Sequence, residues 1–104
     1  MTHSDLDAVV VPWCAKLGLH LYTKCRDDEV RDIHIVDDSG VGYHITVIPL
    51  GGENSTVGVD IWSEARTYAS YRTTLGSLGS TLDHAYQRVL ELITEHGHTR
   101  TPVV

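Results

Sequence analysis

The chain has 104 residues, 41% of them hydrophobic, and a net charge of −6 with histidine counted as neutral. That length suits one domain, residues 1–104, large enough to build its own core, with a loose tail at 99–104. The acidic balance excludes direct binding to a nucleic-acid backbone, which needs a basic face, and no stretch approaches the roughly 20 apolar residues of a membrane span.

Residues 4–17 predict a helix. Ser4 can cap it, with Asp7 as a capping-box variant, and Leu6, Val9, Val10, Trp13 and Leu17 form one apolar stripe. Pro12 lies past the first turn and is expected to kink or split it, and Gly18 to end it.

A run of strands follows. Residues 18–25, 30–36, 43–49 and 56–62 each alternate apolar and polar side chains. Charged or glycine-bearing turns separate them: RDDE at 26–29, DDSGVG at 37–42 and LGGENS at 50–55. Segment 65–74 is a candidate fifth strand, or else a flap that folds over the sheet and covers Trp62. GSLGS, residues 76–80, reads as a hinge-like loop. The closing helix is expected to start at Ser80 with Asp83 completing a capping box. It carries the stripe Leu82, Ala85, Tyr86, Val89, Leu90 and Ile93, ends at Gly97, and shows a solvated face of Asp83, Gln87, Arg88, Glu91 and Glu95.

Short turns between consecutive strands mean an antiparallel meander, and clean alternation means one wet face and one buried face. The expected fold is therefore a two-layer α+β domain. A helix precedes four to five antiparallel strands and a second helix follows, with both helices on one sheet face. The buried face is Leu19, Leu21, Ile33, Ile35, Tyr43, Ile45, Val47, Val57, Val59 and Ile61.

The opposite face carries the functional interest. Hairpins in which 25 pairs with 29, 37 with 41 and 50 with 54 would align His20, His34, His44 and Asp60 across four strands. Directly paired Cβ atoms lie about 4.5–5.5 Å apart, so neighbouring imidazoles could share a metal. His20, His34 and His44 with an open position would match a catalytic zinc arrangement. No motif requires a cofactor, and zinc is the one candidate. The same face carries Tyr22, Val36, Ile48 and Trp62, rimmed by Lys24, Asp32 and Asp60. Aromatic groups beside few lysines or glutamates suit a docking surface, so Tyr22, His20, His34, His44, Ile48, Asp60 and Trp62 are the candidate partner-binding residues.

Elsewhere the chemistry is sparse. There is no P-loop or dinucleotide fingerprint. Cys14 and Cys25 have no metal spacing and read as reduced thiols, Cys25 facing the core; Ser39 reads as a turn residue. MTHSDLD lacks a basic leader start and AVVV is too short for a leader core, so a cytoplasmic location is expected. The functional expectation is a non-enzymatic protein-binding module: a small acidic inhibitor, immunity-protein-like or phage counter-defence-like by size and charge, docking on a basic or nucleic-acid-processing enzyme. The alternatives are an acidic homodimeric chaperone or adaptor and a metal-dependent hydrolase using the three histidines.

Overall fold

A computed structural model describes residues 3–22, 30–51, 56–64 and 66–97. Helix α1 (His3–Leu17) leads into strands β1 (His20–Tyr22), β2 (Arg31–Val36), β3 (Gly42–Gly51), β4 (Thr56–Trp62) and β5 (Thr67–Thr74), then a 3₁₀ turn (Leu75–Ser77) and helix α2 (Leu78–Glu95). The five strands form one antiparallel sheet in the order β1-β2-β3-β4-β5. Both helices pack on the same side, which makes a two-layer α+β fold.

The core forms where the alternation places it. Ile33, Ile35, Tyr43, Ile45, Val47, Val57, Val59 and Ile61 are all buried, while Leu19 and Leu21 are partly buried at its margin. The helices close over them with Leu6, Val10, Trp13 and Cys14 from α1 and Leu78, Leu82, Ala85, Val89, Leu92 and Ile93 from α2. A charged residue of β2 is buried on this side. Arg31, buried on β2, donates to the Asp7 carboxylate of α1 through Nε at 2.7 Å and Nη2 at 3.2 Å, a two-pronged pair that fastens helix to sheet.

α1 ends as its glycine requires. Gly18 takes φ 64°, and the amides of Gly18 and Leu19 donate back to Ala15 and Cys14. That pairing is a Schellman closure, which glycine enters without a Cβ penalty. Of the two effects expected of Pro12, a split does not occur: α1 runs through it. Ala8, whose carbonyl loses its donor to the proline ring, is solvent-exposed together with Pro12, so water can take the missing donor's place.

The second helix starts earlier than the sequence suggests. Ser77, not Ser80, is its N-cap position, and residues 75–79 are helical rather than a hinge. Leu78 is fully buried and Leu75 partly so; at i, i+3 they pull this turn onto the core despite its glycines. Asp83 is likewise not a capping-box partner. It accepts a 2.8 Å hydrogen bond from Trp13 Nε1 and so ties the two helices together.

Residues 67–74 extend the sheet and do not fold over it. As strand β5 they pair edge to edge with β4, with Tyr71 opposite Val59 on the helix side, where its ring meets His84. The charged turn 26–29, Cys25 and the tail 99–104 lie outside the described residues.

Candidate functional site

Two of the three expected registers place the histidines as the hairpin sums require. His20 faces His34, and His34 faces His44. The third hairpin differs by two residues: Trp62, not Asp60, faces His44, and Asp60 faces Thr46. The pair nearest the loop is Gly51–Thr56 rather than 50–54, and an irregularity between Pro49 and Gly51 then shifts the ladder by one residue. Leu50 is the extra residue. A Cβ on Gly58 would sit 3.4 Å from its Cδ1, so the leucine lies over a glycine left bare for it.

The result is a row of four rings across β1–β4. His20 and His34 are edge-on with centroids 6.2 Å apart, and His34 and His44 edge-on at 4.1 Å. His44 and Trp62 are stacked at 4.0 Å with planes 8° apart. Trp62 Nε1 donates to Thr46 Oγ1 at 2.6 Å, which fixes the indole over the sheet. Tyr22 lies opposite Asp32 in the backbone register. Ile48 lies opposite Gly58, and exposed Val36 and Leu50 border the face.

Asp32, which the sequence places at the rim of this face, joins the two imidazoles. It shares a face with His34, two residues along β2, and lies diagonal to His44. Its carboxylate contacts His34 Nε2 at 3.2 Å and His44 Nδ1 at 3.1 Å. A carboxylate can only accept, so the imidazoles donate to it from those two nitrogens. One ligand atom from each of Asp32, His34 and His44 fits within a 4.8 Å span; His20 is not part of that group. The side chains of His34 and His44 are 36% and 16% exposed, so the cluster is rooted in the sheet yet open to solvent. The signal for Asp32 was the spacing D-x-H in a strand, which puts both side chains on one face.

A second concavity lies at the sheet end. A cleft of about 680 Å³ is lined by Asp37, Tyr43, His44, Ser63, Tyr68 and His96, among others. Tyr43 Oη and His96 Nδ1 are 3.3 Å apart, and the Tyr43 and Tyr68 rings are 5.9 Å apart. Burial pushes the Tyr43 phenol above its ordinary value, with Tyr68 and Asp37 adding to the shift.

Three side chains with nucleophilic atoms among the described residues are engaged or buried. Ser39 donates to Asp37 Oδ1 at 2.7 Å as part of the β2–β3 turn. Cys14 is a free thiol buried between helix and sheet, and that burial pushes it up to about 11. Thr46 holds Trp62.

No family model, curated protein or solved structure matches this chain. Among the described residues, no helix is long and apolar enough to cross a membrane.

Proposed function

We propose that this chain is a non-enzymatic protein-binding module that docks its open sheet face on a basic protein. The observation that carries the reading is the His44–Trp62 stack on a face that no described element covers. An indole held by a stacked ring and a hydrogen bond loses little freedom on binding, which is what an anchor residue needs. Exposed Val36 and Leu50 extend the apolar border. The net charge of −6 supplies long-range attraction to a basic surface and disfavours acidic competitors. An inhibitor that occludes a basic, nucleic-acid-processing enzyme in the cytoplasm fits this chemistry, and the free Cys14 thiol suits a reducing compartment.

The test is a pull-down from host lysate followed by titration of the purified partner. The reading expects one basic protein in a 1:1 complex that weakens with salt. Trp62→Ala should weaken it at least ~30-fold, the loss of a hot spot of about 2 kcal/mol. A partner that binds folded Trp62→Ala and His34→Ala proteins as tightly as wild type would overturn it.

One observation favours a second reading, a homodimeric adaptor. β5 ends the sheet as a strand of 8 residues with no strand on its outer side among the described residues, and such an edge can pair with a second copy. Light scattering at tens of micromolar decides this; a mass of one chain rejects the homodimer.

A further inference from the structure

We propose that Asp32, His34 and His44 form a binding site for one late first-row divalent metal ion, with Zn²⁺ as the natural probe. This inference does not rest on the docking reading, because its readout needs no partner.

The geometry is nearly that of a coordination sphere already. Tetrahedral zinc takes nitrogen and carboxylate oxygen at about 2.0–2.2 Å, which places ligand atoms roughly 3.3–3.6 Å from one another. Asp32 Oδ2 stands 3.2 Å from His34 Nε2 and 3.1 Å from His44 Nδ1. Two of the three edges therefore need only a few tenths of an ångström of expansion. For the third edge, one nitrogen of each imidazole lies within 4.8 Å of the other.

The scaffold fixes what it must. Asp32 and His34 are two residues apart on β2, and His44 is the direct cross-strand partner of His34, so backbone pairing sets all three Cα positions. The Trp62 stack sets the plane of the His44 ring. A tight ligand set needs this support from groups that do not themselves bind the ion. No described element covers this face, which leaves the remaining coordination positions to water.

The donor set selects the ion. Two imidazoles and one carboxylate suit zinc and its transition-metal neighbours, whereas magnesium and calcium take oxygen ligands. On binding, the ion takes the lone pairs of His34 Nε2 and His44 Nδ1. Each metal-bound ring carries its proton on its other nitrogen, and Asp32 exchanges two hydrogen bonds for a metal bond.

The test is calorimetric titration of the untagged full chain with ZnCl₂ at pH 7.5, with circular dichroism to verify the fold of each variant. Wild type should bind one ion saturably. Asp32→Asn and His34→Asn should each weaken binding at least tenfold, His20→Asn should bind like wild type, and MgCl₂ should give no binding heat. A readout without substitutions is ¹⁵N NMR of the imidazoles, in which zinc should shift His34 Nε2 and His44 Nδ1 and leave His84 unmoved. Absence of saturable zinc binding overturns the proposal. So does binding that survives the folded His34→Asn protein, or zinc shifts confined to other histidines.

Discussion

The imidazole of His44 lies flat on the indole of Trp62, with centroids 4.0 Å apart and planes 8° from parallel. The stack joins β3 to β4 on the side away from the helices, so a solvent-facing contact helps define the sheet. Trp62→Ala should cost roughly 2 kcal/mol, from the lost ring contact and the Thr46 hydroxyl left without its donor. Trp62→Phe should keep the ring contact and lose only the hydrogen bond. Urea unfolding measures both. The ring protons of His44 should resonate upfield in wild type and return to ordinary positions in Trp62→Ala. Unshifted His44 protons in wild type would show that the stack does not persist in solution.

The Arg31–Asp7 pair predicts an asymmetric mutational response. The guanidinium is buried while the Asp7 side chain is 39% exposed, so solvent weakens the ion pair and its full buried value does not apply. Asp7→Ala should destabilise by roughly 1–2 kcal/mol because it strips the chelating acceptor from a buried cation. Arg31→Met, which removes the charge and keeps much of the stem, should cost less. Chemical denaturation of the two variants compares them directly, and an equal or larger loss for Arg31→Met would refute this account.

Asp37 organises the β2–β3 turn that presents His34 and His44. Its Oδ1 accepts from the Ser39 amide at 2.9 Å, the Ser39 hydroxyl at 2.7 Å and the Val41 amide at 2.9 Å. Asp37→Ala should cost about 2–3 kcal/mol, since each lost bond is worth around 1 kcal/mol. Asp37→Asn keeps an acceptor oxygen and should cost less than half as much. Thermal melts of both proteins check this ordering.

Alkaline pH should weaken the fold through Cys14. Its thiol is held at about 11, against 9.0 for a free thiol, because burial disfavours the thiolate. Between these values the unfolded chain releases a proton that the folded chain keeps. Stability from this group is therefore complete below pH 9 and is lost as pH rises through about 11. Tyr43, raised chiefly by burial, acts in the same direction at higher pH. Denaturation midpoints across pH 8–11 should fall, and fall less in Cys14→Ala measured against its own value at pH 8. A thiol reagent should leave Cys14 unmodified in native protein at pH 8.

Much of this architecture is written locally. The alternation of Ile33, Ile35, Ile45, Val47, Val57, Val59 and Ile61 reports which face each strand buries, because strand side chains reverse at every residue. The registers of β1–β2 and β2–β3 then carry the His20–His34–His44 alignment, as counting pairs along the strands requires. The β3–β4 hairpin escapes that logic. Its loop-end pair is Gly51–Thr56 rather than 50–54, and Leu50 leaves the ladder to lie over Gly58, eight residues on. For the same reason Trp62 rather than Asp60 meets His44. Asp32 as a shared partner of two imidazoles depends on diagonal reach between strands, and Asp83 as an acceptor for Trp13 on how two helices dock. Neither relation has a sequence period.

Strand order in this sheet equals chain order, so each strand pairs with its sequence neighbour and closes only a short loop. The contact between Trp13 and Asp83 spans 70 residues and joins the two ends of the fold. Loop closure of that length opposes early formation, which makes docking of α1 a late step on the folding path. Asp83→Ala should therefore leave the refolding rate nearly unchanged and speed unfolding, the behaviour of a contact absent from the transition state. Stopped-flow chevrons separate the two limbs. In kinetic terms, the hydrogen bond between the helices is a clasp that sets how long the native state lasts rather than how fast it is reached.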